Sequence, residues 1–514
     1  MHQPPHMFWR NLLAGVMTCA TCAWPAGAQG GQVHFTVIGD NAKPLPCRVH
    51  MKDEDGKPVR PRGLPFWHDH FVCNGVAELD LLPGNYSYEL DRGPEYLLTT
   101  GTLKVAETGV QSVTNQLRRL VNLAREGWWS GELHVHRPVA DIELLMQAED
   151  LHVAPVITWW NNRNLWTASP LPANPLVRFD EDRFYHLMGG EDERNGGALL
   201  YFNLARPLDI AGAGREFPSP MKFLAEARRR TNIWAWVDIE KPFWYDVPVW
   251  LASGQVDSIG IAHNHMHRGG VFPSEAWGRA RDQQRFPEPQ GNGLYTQEIY
   301  YHILNSGLRL PPSAGSASGV LPNPVGYNRV YVQLDGELTY EKWWSGLKAG
   351  RVFVSNGPLL RCRANGRFPG HVFKTQARQP LELNLDAALD SRDPVSSLEI
   401  IQNGRVKRTI PHSEWKRTGS LGRVQFEESG WFLVRTIADV PGTFRFASTG
   451  PFYVEIGPVE PRVSKASAQF FLDWVRERMK QIKLDDVRQQ EEVLEPHRTA
   501  ERFWKEKVAQ ANAD

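Results

Sequence analysis

Hydrophobic and polar positions follow three different rhythms along this chain, and the changes of rhythm mark its parts. Residues 29–120 alternate in short runs (VHFTVIG, GVAELDLL, NYSYEL, TGTLKVA), broken by turn signals at Glu54-Asp55-Gly56 and Pro83-Gly84-Asn85. Period-two alternation between such turns predicts a small β-sandwich. From 121 to 335 strand-like runs (GELHVH, VAPVITWW, ALLYFNL, IWAWVDIE, SIGIAHNH) interleave with helical ones (DIELLMQAEDL, MKFLAEARRR, LYTQEIYYHILN). That order predicts an α/β domain with a mostly parallel sheet or barrel. Short β runs return over 336–465 (RVFVSN, LELNLD, SLEIIQNG, WFLVRTI, TFRFAS, PFYVEI) and predict a second β-sandwich. The tail, 466–514, is predicted helical. Phe470, Phe471, Trp474, Val475, Met479 and Ile482 form an apolar stripe at helix spacing, suited to packing on the body. No repeat of fixed period is present.

The first 28 residues read differently. Arg10 precedes the short apolar run LLAGVMTCATCA, and Ala26-Gly27-Ala28 offers a small-x-small cleavage site, the pattern of a secretory signal peptide. The expectation is a secreted or periplasmic protein without a transmembrane segment, since no later run reaches ~18 uninterrupted apolar residues. Cys47, Cys73 and Cys362 would remain in the mature chain. In an oxidising compartment Cys47 and Cys73 could pair, leaving Cys362 over.

Composition narrows the classes further. With 514 residues, 41% hydrophobic and 23% charged, the chain has the make-up of a folded protein of several domains. Fifty-eight basic residues balance 58 acidic ones, so nothing resembles the basic footprint of a nucleic-acid binder. Tryptophan is the anomaly. Ten of 19 fall between residues 127 and 277, in the segment that also holds the candidate chemistry.

In Gly131-Glu132-Leu133-His134-Val135-His136 strand alternation sends His134 and His136 to the same face, two imidazoles aimed at one point. A second His-x-His, His263-Asn264-His265, ends another predicted strand of the same segment. His68 and His70 repeat the spacing in the N-terminal part, where no partner residues are evident, and read as ordinary surface or turn residues. Gly189-Gly190-Glu191-Asp192-Glu193 is a glycine turn that presents carboxylates. Asp238 and Glu240 share a face of a tryptophan-flanked strand, where an unpaired charge would be costly and Lys241 is a ready partner.

These residues carry a resemblance. GWWSGELHVH (127–136), with DIELLMQAEDL and VAPVITWWN behind it, resembles the opening of a PHP-type hydrolase domain of the carbaryl-hydrolase-like (CehA/McbA) branch. The resemblance extends to GKPV and LPGNY before it and to WWSGLKAGRVFVSNGPLL after it. It implies a distorted β/α barrel with metal at the strand ends, flanked by the two sandwiches, and cleavage of ester, carbamate or phosphoester bonds. It implies His134 and His136 as the first ligand pair, Glu191 as a bridging carboxylate and His263 or, in better context, His265 as a later ligand. Asp141 stands where a further ligand can occur, or else caps the helix it opens.

The departures from the family are as informative. Thr158-Trp159-Trp160 replaces Thr-Asp-His, Lys241-Pro242 replaces His-Pro, and Ser316-Ala317-Ser318-Gly319 replaces Ser-Asp-x-His. One or two divalent ions (zinc, manganese or iron) are therefore expected rather than three. Asp238 or Glu240 would lie near them, Glu191 or Glu240 would shuttle a proton, and Lys241 would stabilise an oxyanion or, carboxylated, bridge metals. Trp159, Trp160 and Asn161 would line an aromatic pocket for a small-molecule or glycan-like substrate. The competing expectation is a non-catalytic carbohydrate- or surface-binding protein that has lost its metals. Oligomeric state is not legible.

Overall fold

Strict alternation builds the first unit. The strand Gly31–Ile38 buries Val33, Phe35 and Val37, running antiparallel to Val76–Leu81 and parallel to Val110–Gln116. A five-stranded sheet, Phe66–Trp67, His70–Cys73, Cys47–Lys52, Gly84–Asp91 and Thr99–Val105 in spatial order, supplies the other side of the core. Val49, Met51, Phe71, Leu90 and Leu103 fill the space between. Cys47 and Cys73 stand directly opposite each other on neighbouring strands, both buried as free thiols, as is Cys362. The computed structural model describes residues 30–229, 234–376, 379–457 and 461–514. The expected signal peptide, 1–28, lies outside the described residues.

The central segment is organised by one large sheet. Val153–Trp160 runs parallel to Arg183–Arg194, and also to Trp128–Gly131, where Val153 meets Gly131. Beyond Gly131 the chain stays in the sheet. Glu132 N–H donates to the Val153 carbonyl at 3.1 Å and Ile157 N–H to Val135 at 2.8 Å. On the other side Leu133 N–H donates to Ala314 at 2.9 Å and His136 N–H to Ser318 at 2.8 Å. Residues 132–136 are thus held from both sides, and their side chains have little freedom of aim.

The expected α/β class is not what the structure shows. Strands make up 38% and helices 22% of the structure. Arg183–Arg194, Gly197–Phe202 and Trp236–Ile239 are joined by antiparallel ladders. Trp128–Gly131 pairs antiparallel with Arg329–Gln333, which pairs with Val352–Ser355, which pairs with Phe446–Thr449. The sheet therefore runs across the expected boundary at 335/336, and no self-contained parallel β/α barrel stands between two sandwiches. The reason lies in the connections. Asn195-Gly196, with Gly197 at φ +114°, makes a two-residue reversal into a hairpin, and Gly197–Phe202 and Trp236–Ile239 pair antiparallel although the helix Pro220–Arg229 lies between them.

Towards the C-terminus, Leu359–Ala364, Leu381–Asp390 and Ser420–Phe426 form a three-stranded sheet over Leu360, Cys362, Leu383, Phe432 and Phe452. The tail folds as two helices, Lys465–Gln481 and Val487–Ala509, that pack on each other and on the helix Val247–Ser253. Phe471, Trp474, Val475 and Ile482 of the apolar stripe are buried, as is Trp504. Charge latches this packing. Asp246 Oδ1 accepts from Arg478 Nε at 2.8 Å and lies 3.2 Å from His497 Nε2, while Arg478 also donates to Glu216 at 2.6 Å. Burial alone would raise the Asp246 carboxyl, but Arg478 and His497 outweigh it and hold it well below the usual carboxylate range. Among the described residues no helix is long and apolar enough to cross a membrane.

Two stability predictions follow from these buried groups. Asp246→Ala removes the buried acceptor that Arg478 and His497 share and is expected to cost about 3–5 kcal/mol in urea unfolding. His186, stacked on Tyr340, is lowered to about 4 by burial. The unfolded chain takes up this proton near 6.5 and the folded chain does not, so its stability contribution is full above 6.5 and falls as pH drops toward 4. The loss by pH 4 is about 3 kcal/mol. In His186→Gln the unfolding free energy should lose that share of its slope between pH 6.5 and 4.

Candidate metal centre

His134 and His136 sit in the doubly clamped segment 132–136, whose intervening Leu133 and Val135 are fully buried. The sheet brings Glu191 beside them through the register Trp160 to Glu191. His134 Nε2 and His136 Nε2 lie 3.0 Å apart, and Glu191 Oε2 is 3.5 Å from the first and 3.1 Å from the second. Donors about 2.0–2.2 Å from one divalent ion stand about 3–3.5 Å from each other, so these three atoms have the spacing of a ligand set. Glu191 Oε2 is buried and makes no hydrogen bond with proper geometry. The close approach has a steric condition: a Cβ on Gly315 would lie 2.4 Å from the His134 Cβ.

The electrostatics match. Burial opposes charge on His134, yet Glu191 and Glu240 outweigh it and push it up to about 10. Burial lowers His136 despite the attraction of Glu191. Glu191, which burial would raise, is held well below the carboxylate range by the two imidazoles. The cluster attracts a single positive charge between its donors, and a metal ion can take the place of that proton.

The far side of His134 is fixed as well. Its Nδ1 lies 3.2 Å from Glu240 Oε1, an arrangement that orients a ligand histidine and leaves Nε2 for the metal. Glu240 also accepts from Lys241 Nζ at 2.6 and 2.5 Å, Asn264 Nδ2 at 2.7 Å and Trp244 Nε1 at 3.1 Å. Burial alone would raise its carboxyl; Lys241 and His134 hold it well below the usual range. With its oxygens so engaged, Glu240 orients His134 and does not serve as the expected proton shuttle. Lys241 is committed to Glu240 and lies 4.3 Å over the Trp244 ring, a position that leaves no charge uncompensated for an oxyanion.

Several expected residues do other work. His263 has both nitrogens occupied: Nε2 pairs with Thr296 Oγ1 at 2.8 Å and Nδ1 accepts from His265 N–H at 3.3 Å. His265 packs against Phe243 and Phe272, outside the convergent trio. Neither joins the convergent trio. Asp238 Oδ1 accepts from the Ser258 and Ser313 hydroxyls, and burial raises the carboxyl to about 7. It stitches three strands together. Ser316 Oγ accepts from Asn328 N–H at 2.9 Å and donates to the Asn328 carbonyl at 3.4 Å. Asp141 makes no side-chain cap and lies 3.9 Å from Arg137.

The aromatic pair divides. Trp160 leans on His136 with ring centres 5.1 Å apart and forms a wall of the site. Trp159 points to the opposite face, over Gly190 and beside Tyr201, and with Asn161 lines a separate cleft of about 260 Å³. Asn161 braces the ligand strand: its N–H donates to the Glu191 carbonyl at 3.2 Å and its Oδ1 accepts from Glu193 N–H at 3.0 Å. Sequence reasoning missed Asn264 and Trp244, which carry no signal apart from proximity to histidines and Glu240. It also passed over Glu193, which alternation places on the Glu191 face. Burial and the Glu191 and Glu240 charges raise that carboxyl to about 7.

No family model and no curated protein matches the chain. Among solved structures, the N-terminal four Ig domains of Dscam1 isoform 8.4 align with 83% of this chain and 73% of that one, at 7% identity and a TM-score of 0.14. Likeness at that level assigns no fold.

A steric prediction tests how Glu191 is placed. A Cβ on Gly190 would lie 1.7 Å from the Trp159 ring. Gly190→Ala is expected to cost about 3 kcal/mol in urea unfolding, at the upper end for overpacking, and to weaken metal binding by displacing Glu191.

Proposed function

We propose that this chain is a metal-dependent hydrolase of small neutral esters or carbamates, and that it acts outside the cytoplasm. The convergence of His134 Nε2, His136 Nε2 and Glu191 Oε2, with His134 oriented by Glu240, carries the reading. The resemblance of GWWSGELHVH to the carbaryl-hydrolase-like branch and the export-like first 28 residues support it. A divalent ion in this donor set supplies Lewis acidity toward a scissile carbonyl oxygen and toward water. Two imidazoles and a carboxylate suit zinc, manganese or iron, with coordination positions left for water and substrate.

The chain's own residues divide the remaining tasks. Glu240 keeps the proton on His134 Nδ1, so that Nε2 stays a donor to the metal. Trp160 supplies an apolar face next to His136, suited to an aryl or alkyl group. Glu193, on the Glu191 face and close enough to feel both site carboxylates, is assigned the proton transfer from attacking water. Charge favours a neutral acyl substrate over a phosphoester. Glu191, Glu193 and Glu240 surround the site, and the Lys241 charge is neutralised by Glu240.

The test combines metal analysis with hydrolysis of aryl acetates, aryl carbamates and aryl phosphates. The wild type should bind metal, cleave the acyl substrates and lose activity to a chelator, with recovery on adding zinc or manganese. His134→Ala should abolish turnover and the metal held by this trio, and Glu240→Gln should weaken metal affinity there about 10–100-fold. A wild-type protein without bound metal, or activity that survives chelation, overturns the proposal.

A further inference from the structure

The five-stranded N-terminal sheet holds a second cluster that plays no part in the site above. Cys47–Lys52 and His70–Cys73 are antiparallel neighbours, with Val49 opposite Phe71, and the same register carried one step further sets His50 opposite His70. Their rings lie 5.1 Å apart. Trp67 pairs with His70 across a two-residue turn in which His68 has φ +51°, and this turn places Asp69 between the two imidazoles. Asp69 Oδ2 is 3.2 Å from His50 Nδ1, and Asp69 Oδ1 is 3.1 Å from His70 Nδ1. The spacing first read as incidental at His68 and His70 thus brings together His50, Asp69 and His70, with His68 left out.

His50 is the residue that calls for an occupant. It is 5% exposed; its Nε2 has no hydrogen-bond partner, and its Nδ1 meets only the Asp69 carboxylate, without good hydrogen-bond geometry. Leaving such a polar group unsatisfied is costly, and native structures rarely do so. Three donor atoms within 4.8 Å of one another surround one point beside it. The neighbouring arginines disfavour positive charge there, but each has carboxylate partners that offset part of this repulsion. Arg48 is bound by Asp91 and Glu149, and Arg268 by Glu89. Asp69, 31% exposed, leaves an entry path and room for solvent to complete the coordination.

We propose that His50, Asp69 and His70 form a second divalent-metal site, of the zinc class indicated by two imidazoles and one carboxylate. Its work is mechanical. The ion clamps the hairpin Phe66–Cys73 onto Cys47–Lys52. The hairpin in turn docks on the central segment through Trp67 Nε1, which donates to the Leu321 carbonyl at 2.7 Å, and through Arg137, which lies over the Trp67 ring. Arg137 directly follows His136, so the clamp braces the chain that leaves the first site.

The two sites are separable by experiment. The full-length chain is stripped with chelator, reloaded with Zn(II) or Co(II), and scored for metal per protein, Co(II) absorption and melting temperature. A His134→Ala/His136→Ala variant should retain one equivalent and still gain melting temperature on adding metal. Adding Asp69→Asn or His70→Ala should remove that equivalent and the gain. Should the double variant fail to fold, Asp69→Asn alone should take one equivalent from the otherwise wild-type chain. If a folded His134→Ala/His136→Ala protein binds no metal, or binds it undiminished after Asp69→Asn and His70→Ala, the second site is disproved. If Asp69→Asn costs one equivalent while His134→Ala/His136→Ala costs none, this site stands and the first fails.

Discussion

A carboxylate buried with almost no access to water must be surrounded by donors, and Glu240 shows how much structure that requirement organises. Lys241, Asn264, Trp244 and His134 come from three strand ends and the chain beyond them, and all point at its two oxygens. Removing one would leave charge uncompensated in a dry interior, where the penalty exceeds the gain from any single contact. Their positions are therefore over-determined. The direction in which His134 presents its second nitrogen is a by-product of satisfying Glu240, and the geometry of the convergent trio is inherited from it.

The same logic operates at a larger scale. Arg48 of the N-terminal sheet binds Asp91 and also Glu149, which follows the helix Ile142–Ala148. Arg392, far along the chain, returns to Asp91 at 2.8 Å, and Arg329 donates to the Glu149 carbonyl at 3.1 Å. Three parts of the chain are joined by fully or largely buried charges as well as by apolar contacts, such as Val72 in one cluster with Val135 and Ile142. The charged joints add little net stability, but they tolerate few alternative arrangements.

What could be read from the sequence divides along a physical line. Alternation reports which face a side chain takes, so the shared face of His134 and His136 was legible, as was the pairing of Glu240 with Lys241. It does not report what waits on that face. His263 and His265 have the same spacing as the first pair, but Thr296 and the phenylalanines occupy their surroundings. Strand direction was equally hidden. Helical runs between strands suggested parallel crossovers, and those around Ile142–Ala148 and Gly291–Asn305 do join parallel strands. Gly197–Phe202 and Trp236–Ile239, however, pair antiparallel across Pro220–Arg229, and Asn195-Gly196 turns a hairpin. His50 was invisible because a lone histidine in a strand has meaning only through its cross-strand neighbour, and register is a tertiary fact.

The latch of the C-terminal tail has a consequence for the order of events in folding. Among the described residues the Asp246 carboxylate takes its hydrogen-bond partners from Arg478 and His497, and Trp504 closes over the helix that Asp246 precedes by bonding the Pro248 carbonyl at 2.9 Å. The region around Trp244 and Glu240 thus cannot reach its final packing while the last fifty residues are still being synthesised. Completion is postponed to the end of the chain. The packing around Asp246 is local in space but not along the chain, so its last partners arrive more than two hundred residues after it.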